Sequence, residues 1–285
     1  MSHYYCLMAG VPALALDGSP SPLTPSQFRE QFEEVATEKD RRLLSYFFLK
    51  QDCLNVVELL EHPDATVDAE GGNLSLDQLH DLILSAQTMN FNVHRYPAFL
   101  SEFARDYPTL KEQPGYQPKD DVLSRYYSYA AEVPDKVMKA WFELNLNITN
   151  ILTALIAKGM GWDVKQYIQG ENDTCEMILT SNAKDFNLSV LHDYAGEVVH
   201  ISEESNPTTK EQRIDALKWT WLDDNALEDE FSIDAVFAYL CKLDMLRRWE
   251  ILDPEKGKET FTQLIEKLRS GAKVPAEFQT VKTRR

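Results

Sequence analysis

The chain is short of glycine, with 11 in 285 residues, well under the usual share of about 7%. Few glycines leave few sites for tight turns of positive φ, which disfavours many short strands and favours long helices. Cysteine is sparse too. Cys6, Cys53, Cys175 and Cys241 lie far apart and form no C-x-x-C pair, which argues against zinc-type spacing and a disulfide framework. They are expected to be reduced thiols, mostly buried, in a cytosolic protein. Positive charge is scarce: 29 Lys and Arg stand against 46 Asp and Glu, a formal net charge of −17. That argues against a nucleic-acid partner, which needs clustered cations, and suits partners with basic faces. No stretch approaches the roughly 20 apolar residues that span a bilayer. The apolar opening MSHYYCLMAGVPALALDG lacks a basic leader and is interrupted by Pro12, so it does not read as a signal peptide.

Chemical motifs are missing as well. There is no G-x-x-x-x-G-K-[ST], no H-E-x-x-H and no G-x-S-x-G, and AKGMGWD at 157–163 is in the wrong context for a dinucleotide site. No cofactor or metal site is expected. The nearest thing to a constellation is His192-Asp193 with His200, eight residues on. It reads first as surface or capping histidines and second as the site of a helical enzyme. The acidic run DDNALEDEFSID at 223–234 lacks the glycine of a calcium loop. It reads first as a solvated helix end leading to a cap at Ser232, second as a docking face for a basic partner, and last as a metal site.

Helix signals are plentiful. Thr24-Pro-Ser-Gln27 and Ser75-Leu-Asp-Gln78 are capping boxes, and Phe28, Phe32 and Val35 follow the first at helical spacing. Thr37 opens a second helix with an expected break near residue 50. Residues 4–16 are expected to be a short extended or irregular segment. Leu188, Leu191, Tyr194 and Val198 suggest one helix, and Phe261, Leu264, Ile265 and Leu268 another at the end. The fold class is all-α.

One stretch is said three times. YFFLKQDCLNVVELL at 46–60 returns as WFELNLNITNILTAL at 141–155 and, more faintly, as AYLCKLDMLRRWEIL at 238–252. The steps are 95 and 97 residues. Asp52, Asn147 and Asp244 share one column, and Asn55, Asn150 and Arg247 the column three places on. Asp and Asn are poor helix-interior residues and good caps. Asp52, Asn147 and Asp244 are therefore expected to cap helix–helix joints, dividing the chain into units 1–95, 96–190 and 191–285, related by duplication.

Three sequential helical units with an aromatic lead-in, an acid or Asn, and an Asn-apolar restart resemble the C-type (d-type) subunit of V-type and A-type rotary ATPases. The opening YYCLMAGVPAL resembles the start of a bacterial family encoded beside V-type ATPase subunits, a divergent counterpart of that C-type subunit. The third copy departs most, with Arg247 in place of Asn and Trp249 where small aliphatics are usual. The resemblance implies a funnel-like, non-catalytic adaptor that couples the central-stalk subunits to the membrane rotor ring and supports ATP-driven ion or proton transport. It implies a cytoplasmic location, peripheral to the inner membrane through the complex. A helical scaffold unrelated to rotary ATPases is the remaining alternative.

Overall fold

A computed structural model describes residues 4–16, 21–88, 95–226 and 229–252. The amphipathic pattern at 261–268 lies outside them. Among the described residues there are eleven α-helices and no strand: α1 (Tyr5–Gly10), α2 (Pro25–Val35), α3 (Glu38–Glu61), α4 (Leu76–Gln87), α5 (Ala98–Leu110), α6 (Pro118–Ala130), α7 (Lys136–Met160), α8 (Asp173–Thr180), α9 (Ala195–Ser202), α10 (Pro207–Ala226) and α11 (Ile233–Leu252). The all-α class is as expected.

Both capping boxes form as read, at Thr24 and Ser75. The Thr37 hydroxyl accepts the Asp40 amide, and Ser232 accepts that of Ala235 at the start of α11. Cys53, Cys175 and Cys241 are buried free thiols, and Cys6 is exposed. Two local expectations fail. Residues 5–10 are a helix rather than an irregular segment, because Tyr4 and Leu7 bury themselves and Tyr4 Oη donates to Asp40 at 2.6 Å. The helix stops at Val11, which Pro12 forces into an extended conformation. Residues 188–198 are not one helix. Phe186 and Asn187 take positive φ, leaving a short 3₁₀ turn at 188–190 before α9.

The three similar stretches lie within α3, α7 and α11, the first two 24 and 25 residues long. At 1.5 Å per residue they span about 36 Å and 38 Å. Each is wrapped by its neighbours: α3 by α4, α5 and α6, α7 by α6, α8 and α9, and α11 by α2, α7 and α10. One continuous hydrophobic cluster runs from Tyr4 to Met245. The three long helices meet at Phe237, fully buried, whose ring meets Phe47, Trp141 and Phe142 at centroid distances of 6.2, 6.4 and 6.0 Å, edge-on. Edge-on aromatic contacts contribute about 0.5–1.5 kcal/mol each beyond buried area.

The N-termini of α7 and α11 bring two carboxylates together. Burial, and then the neighbouring Asp135 charge, push Asp234 up from 3.8 to about 6. The folded protein therefore holds this proton more tightly than the unfolded chain. The stability it confers is fully present below about pH 4 and is lost as the pH rises through about 6. Asp234→Asn is expected to flatten that slope and to raise stability at pH 7 by about 1–2 kcal/mol, allowing for solvent screening. Urea denaturation at pH 4, 6 and 8 reads it; a gain at pH 4 and none at pH 8 would reverse the sign.

Candidate functional site

The repeated columns are not helix joints. Asp52 sits fourteen residues into an unbroken α3, and Asn147 and Asp244 also lie well inside α7 and α11. The polar run Lys50-Gln51-Asp52 breaks the apolar stripe without breaking the helix, because Lys50 and Gln51 face a cleft while Asp52 points at another segment. What the columns do instead is reach across space and tie down the start of the next helix.

In the first unit Asp52 is fully buried. Its carboxylate accepts the backbone N–H groups of Asn73 and Leu74 at 2.9–3.0 Å and the Asn73 side-chain amide at 3.0 Å, just ahead of the Ser75 cap of α4. Asn55, one turn on, donates to the Asp68 carbonyl at 2.8 Å and accepts from Gln51 at 2.9 Å. Arg29 holds the loop from the other side: its guanidinium lies over the Phe48 ring and donates to the Gly72 carbonyl at 2.6 Å. Burial pushes Asp52 up to about 6 despite the donors and Arg29, which act the other way. The packing leaves no room for a side chain at residue 72, where a Cβ would lie 2.2 Å from Asp52 Oδ1. Gly72→Ala is expected to cost about 2–3 kcal/mol through this overlap. An unchanged urea midpoint would show that the loop moves aside freely.

In the second unit the same two columns do the same work with amides. Asn150, 1% exposed, donates to the Gln169 carbonyl at 2.7 Å and accepts the Gln169 N–H at 2.8 Å. Asn147 accepts from the Asn172 side chain at 2.8 Å, and Asn172 in turn caps α8 by accepting the Cys175 N–H at 3.0 Å. In both units the residue three places on takes the carbonyl that opens the latched loop. The residue of the first column takes donors beside the next helix start.

The third copy differs. Asp244 and Arg247 hold no loop among the described residues, and the chain following α11 lies outside them. Both line an open cleft of about 410 Å³ bounded by α3, α6, α7, α10, α11 and the 68–71 loop. Its floor is aromatic, with Phe47, Tyr126, Trp141 and Phe142. Its walls carry Lys50, Lys218, Arg247, Arg248, Asp215 and Asp244. Asp215 is buried, pairs with Arg248 and accepts the Trp249 indole N–H at 2.7 Å. Its Oδ1 has no partner among the described residues. Burial and the adjacent Lys50 bring the Lys218 ammonium down to about 8. Among the described residues no carboxylate lies within ion-pair distance of Lys50, Lys218 or Arg247.

His192, Asp193 and His200 are not brought together around shared partners. His192 is half-buried beneath the second latch, stacked on Tyr194, with Nε2 2.8 Å from Thr174 Oγ1 and 3.3 Å from Asn147 Nδ2. The Asn147 amide donates, so Nε2 accepts and a neutral ring carries its proton on Nδ1. Burial lowers its pKa, holding that neutral form. Asp193 is exposed, and His200, exposed on α9, lies 3.8 Å from Glu203. No group of three or more His, Cys, Asp or Glu among the described residues could hold a metal ion.

Sequence reading missed the residues that receive the latches: Arg29, Asn73, Gln169 and Asn172. A signal was present, since Gly72-Asn73 and Gly170-Glu-Asn172 each place a glycine and an asparagine just before a helix start.

Fold and latches define an all-α protein built on long helices that pin the loops returning to them. The chain belongs to the family described as protein of unknown function (DUF2764), whose model matches residues 1–272. No curated protein and no solved structure matches it.

Proposed function

We propose that the protein is a non-catalytic adaptor of a V-type rotary ATPase, a counterpart of the C-type subunit, and that it couples the central stalk to the membrane rotor ring. The observation that carries this reading is the equivalence of the two latches. The columns on which the resemblance rests, Asp52 with Asn55 and Asn147 with Asn150, occupy matching places. In each pair the second residue donates to a loop carbonyl and the first accepts beside the next helix start, from backbone at Asp52 and from a side chain at Asn147. Chance likeness between amphipathic helices would align apolar faces. It would not align buried polar residues that hold the start of the following helix. Duplication of a helical unit is what the resemblance requires, and thirds at 1–95, 96–190 and 191–285 in a funnel-like arrangement are its extension.

Force transmission asks for stiffness. Buried side chains that satisfy loop backbone at several points replace loose connections with fixed ones. No described helix is long and apolar enough to cross a membrane, so on this reading the ring is met through the complex. The far end of α7 and the segments after it expose Ile156, Met160, Trp162 and Tyr167, apolar surface of the kind a central-stalk protein would cover.

A tagged chain isolated in mild detergent is expected to bring down stalk and ring subunits. Met160→Asp with Trp162→Asp is expected to lower that recovery at least tenfold, or about 1.4 kcal/mol, with an unchanged helical circular dichroism spectrum. Emergence of the wild-type chain alone would end the adaptor reading.

A further inference from the structure

The cleft between the three long helices has the makings of a ligand site. Lys50 from α3, Lys218 from α10 and Arg247 from α11 all open onto it, and among the described residues the only unpaired acid on those helix walls is Asp244. Asp215 is already neutralised by Arg248, and Asp68 and Glu70 stand exposed at the rim. On the helix walls four cations, Lys50, Lys218, Arg247 and Arg248, stand against two acids, and the two rim acids bring the whole lining to balance, in a chain of net charge −17. Lys218, half-buried, feels the like charge of the exposed Lys50, and the two oppose one another in the empty protein. Such local costs concentrate at functional sites.

The other lining groups narrow the chemistry. Tyr126, Trp141 and Phe142 are largely buried and form an apolar floor, suited to a flat or ring-bearing body. Asp215 Oδ1 is buried and unpartnered among the described residues, which leaves the Arg248 and Trp249 contacts to Oδ2 as the contacts that hold this carboxylate. The volume of about 410 Å³ is at the small end of the range for metabolite pockets. We propose that this cleft binds a small organic anion: a phosphorylated or carboxylated compound whose ring rests on the aromatic floor and whose acid group meets Lys50, Lys218 and Arg247. The inference is independent of the adaptor reading, since it rests on the cleft and not on the latches.

Phenyl phosphate carries the two essential parts and serves as the probe. Titration calorimetry of the full chain at pH 7 is expected to show binding at about millimolar affinity or better. Inorganic phosphate, lacking the ring, should bind at least fivefold more weakly, and benzylamine, with the opposite charge, not measurably. Lys218→Gln and Arg247→Gln should each weaken phenyl phosphate at least tenfold, whereas Lys184→Gln on the exposed surface should leave it unchanged. Lys218→Gln also separates a binding role from a structural one: relieving the crowded cation should raise the melting temperature while affinity falls. Binding should weaken as the pH rises through 8, with Lys50, Arg247, Arg248, Asp215, Asp244 and Glu211 the charged groups around Lys218. Benzylamine binding as tightly as phenyl phosphate would overturn the proposal. So would phenyl phosphate binding that survives both substitutions, or no binding by about 10 mM.

Discussion

Asp52→Ala is expected to lower stability by about 3 kcal/mol at pH 7, since it strands two backbone N–H groups and one side-chain amide, at about 1–3 kcal/mol for each buried donor left unpaired. The loss is reduced by removing a carboxylate that burial disfavours, which is why the total falls short of the sum. Arg29 adds to the cost, because its guanidinium, held on the same loop, keeps the half-buried Glu33 but loses the buried Asp52 charge beside it. In a chain of this size the change corresponds to a fall in melting temperature of roughly 6–12 °C. Asp52→Asn should cost at least about 1 kcal/mol less, keeping one acceptor and removing the ionisation penalty. Hydrogen exchange distinguishes this from general weakening: the amides of Asn73 and Leu74, which donate to the carboxylate, should lose protection before those of α6. A loss below about 0.5 kcal/mol would mean that water replaces the carboxylate without penalty.

Asn150→Ala is expected to rank second, at about 2–3 kcal/mol, because the amide pairs with both the N–H and the carbonyl of Gln169. The burial of the site, with Asn150 and Cys175 both inside, leaves little room for water to stand in. Asn150→Asp tests the geometry rather than the size. It keeps the acceptor for the Gln169 N–H but loses the donor to the carbonyl, which it would face with negative charge. It should therefore destabilise at least as much as alanine at pH 7 and recover in part on acidification. Equal behaviour of the aspartate variant and wild type across pH 5–8 would show that the carbonyl contact carries no weight.

Cap residues such as Thr24, Thr37, Ser75 and Ser232 were legible because capping is local: the donor and acceptor lie three residues apart in the chain. The repeated Asp and Asn columns were legible as a pattern but not as a function. Their partners lie 13 to 25 residues away, and a polar residue inside an apolar stripe reads as a cap unless the receiving segment is known. The expected helix break near residue 50 failed for the same reason, since the polar run serves the cleft on one side and the latch on the other. The cleft itself was not legible. Lys50, Lys218 and Arg247 are scattered over three helices, and nothing in their spacing announces that tertiary packing brings them to one cleft. Helix α8, missed in an acidic stretch, depends on the Asn172 cap that Asn147 orients across the fold.

The most direct test of the adaptor is ATP-driven proton or sodium uptake into inverted membrane vesicles from cells that carry or lack this chain. Without it, ATP hydrolysis by the catalytic head should persist while uptake collapses, and adding back the wild-type protein should restore uptake. Vesicles that lack the chain yet accumulate ions at the normal rate and stoichiometry would contradict the account.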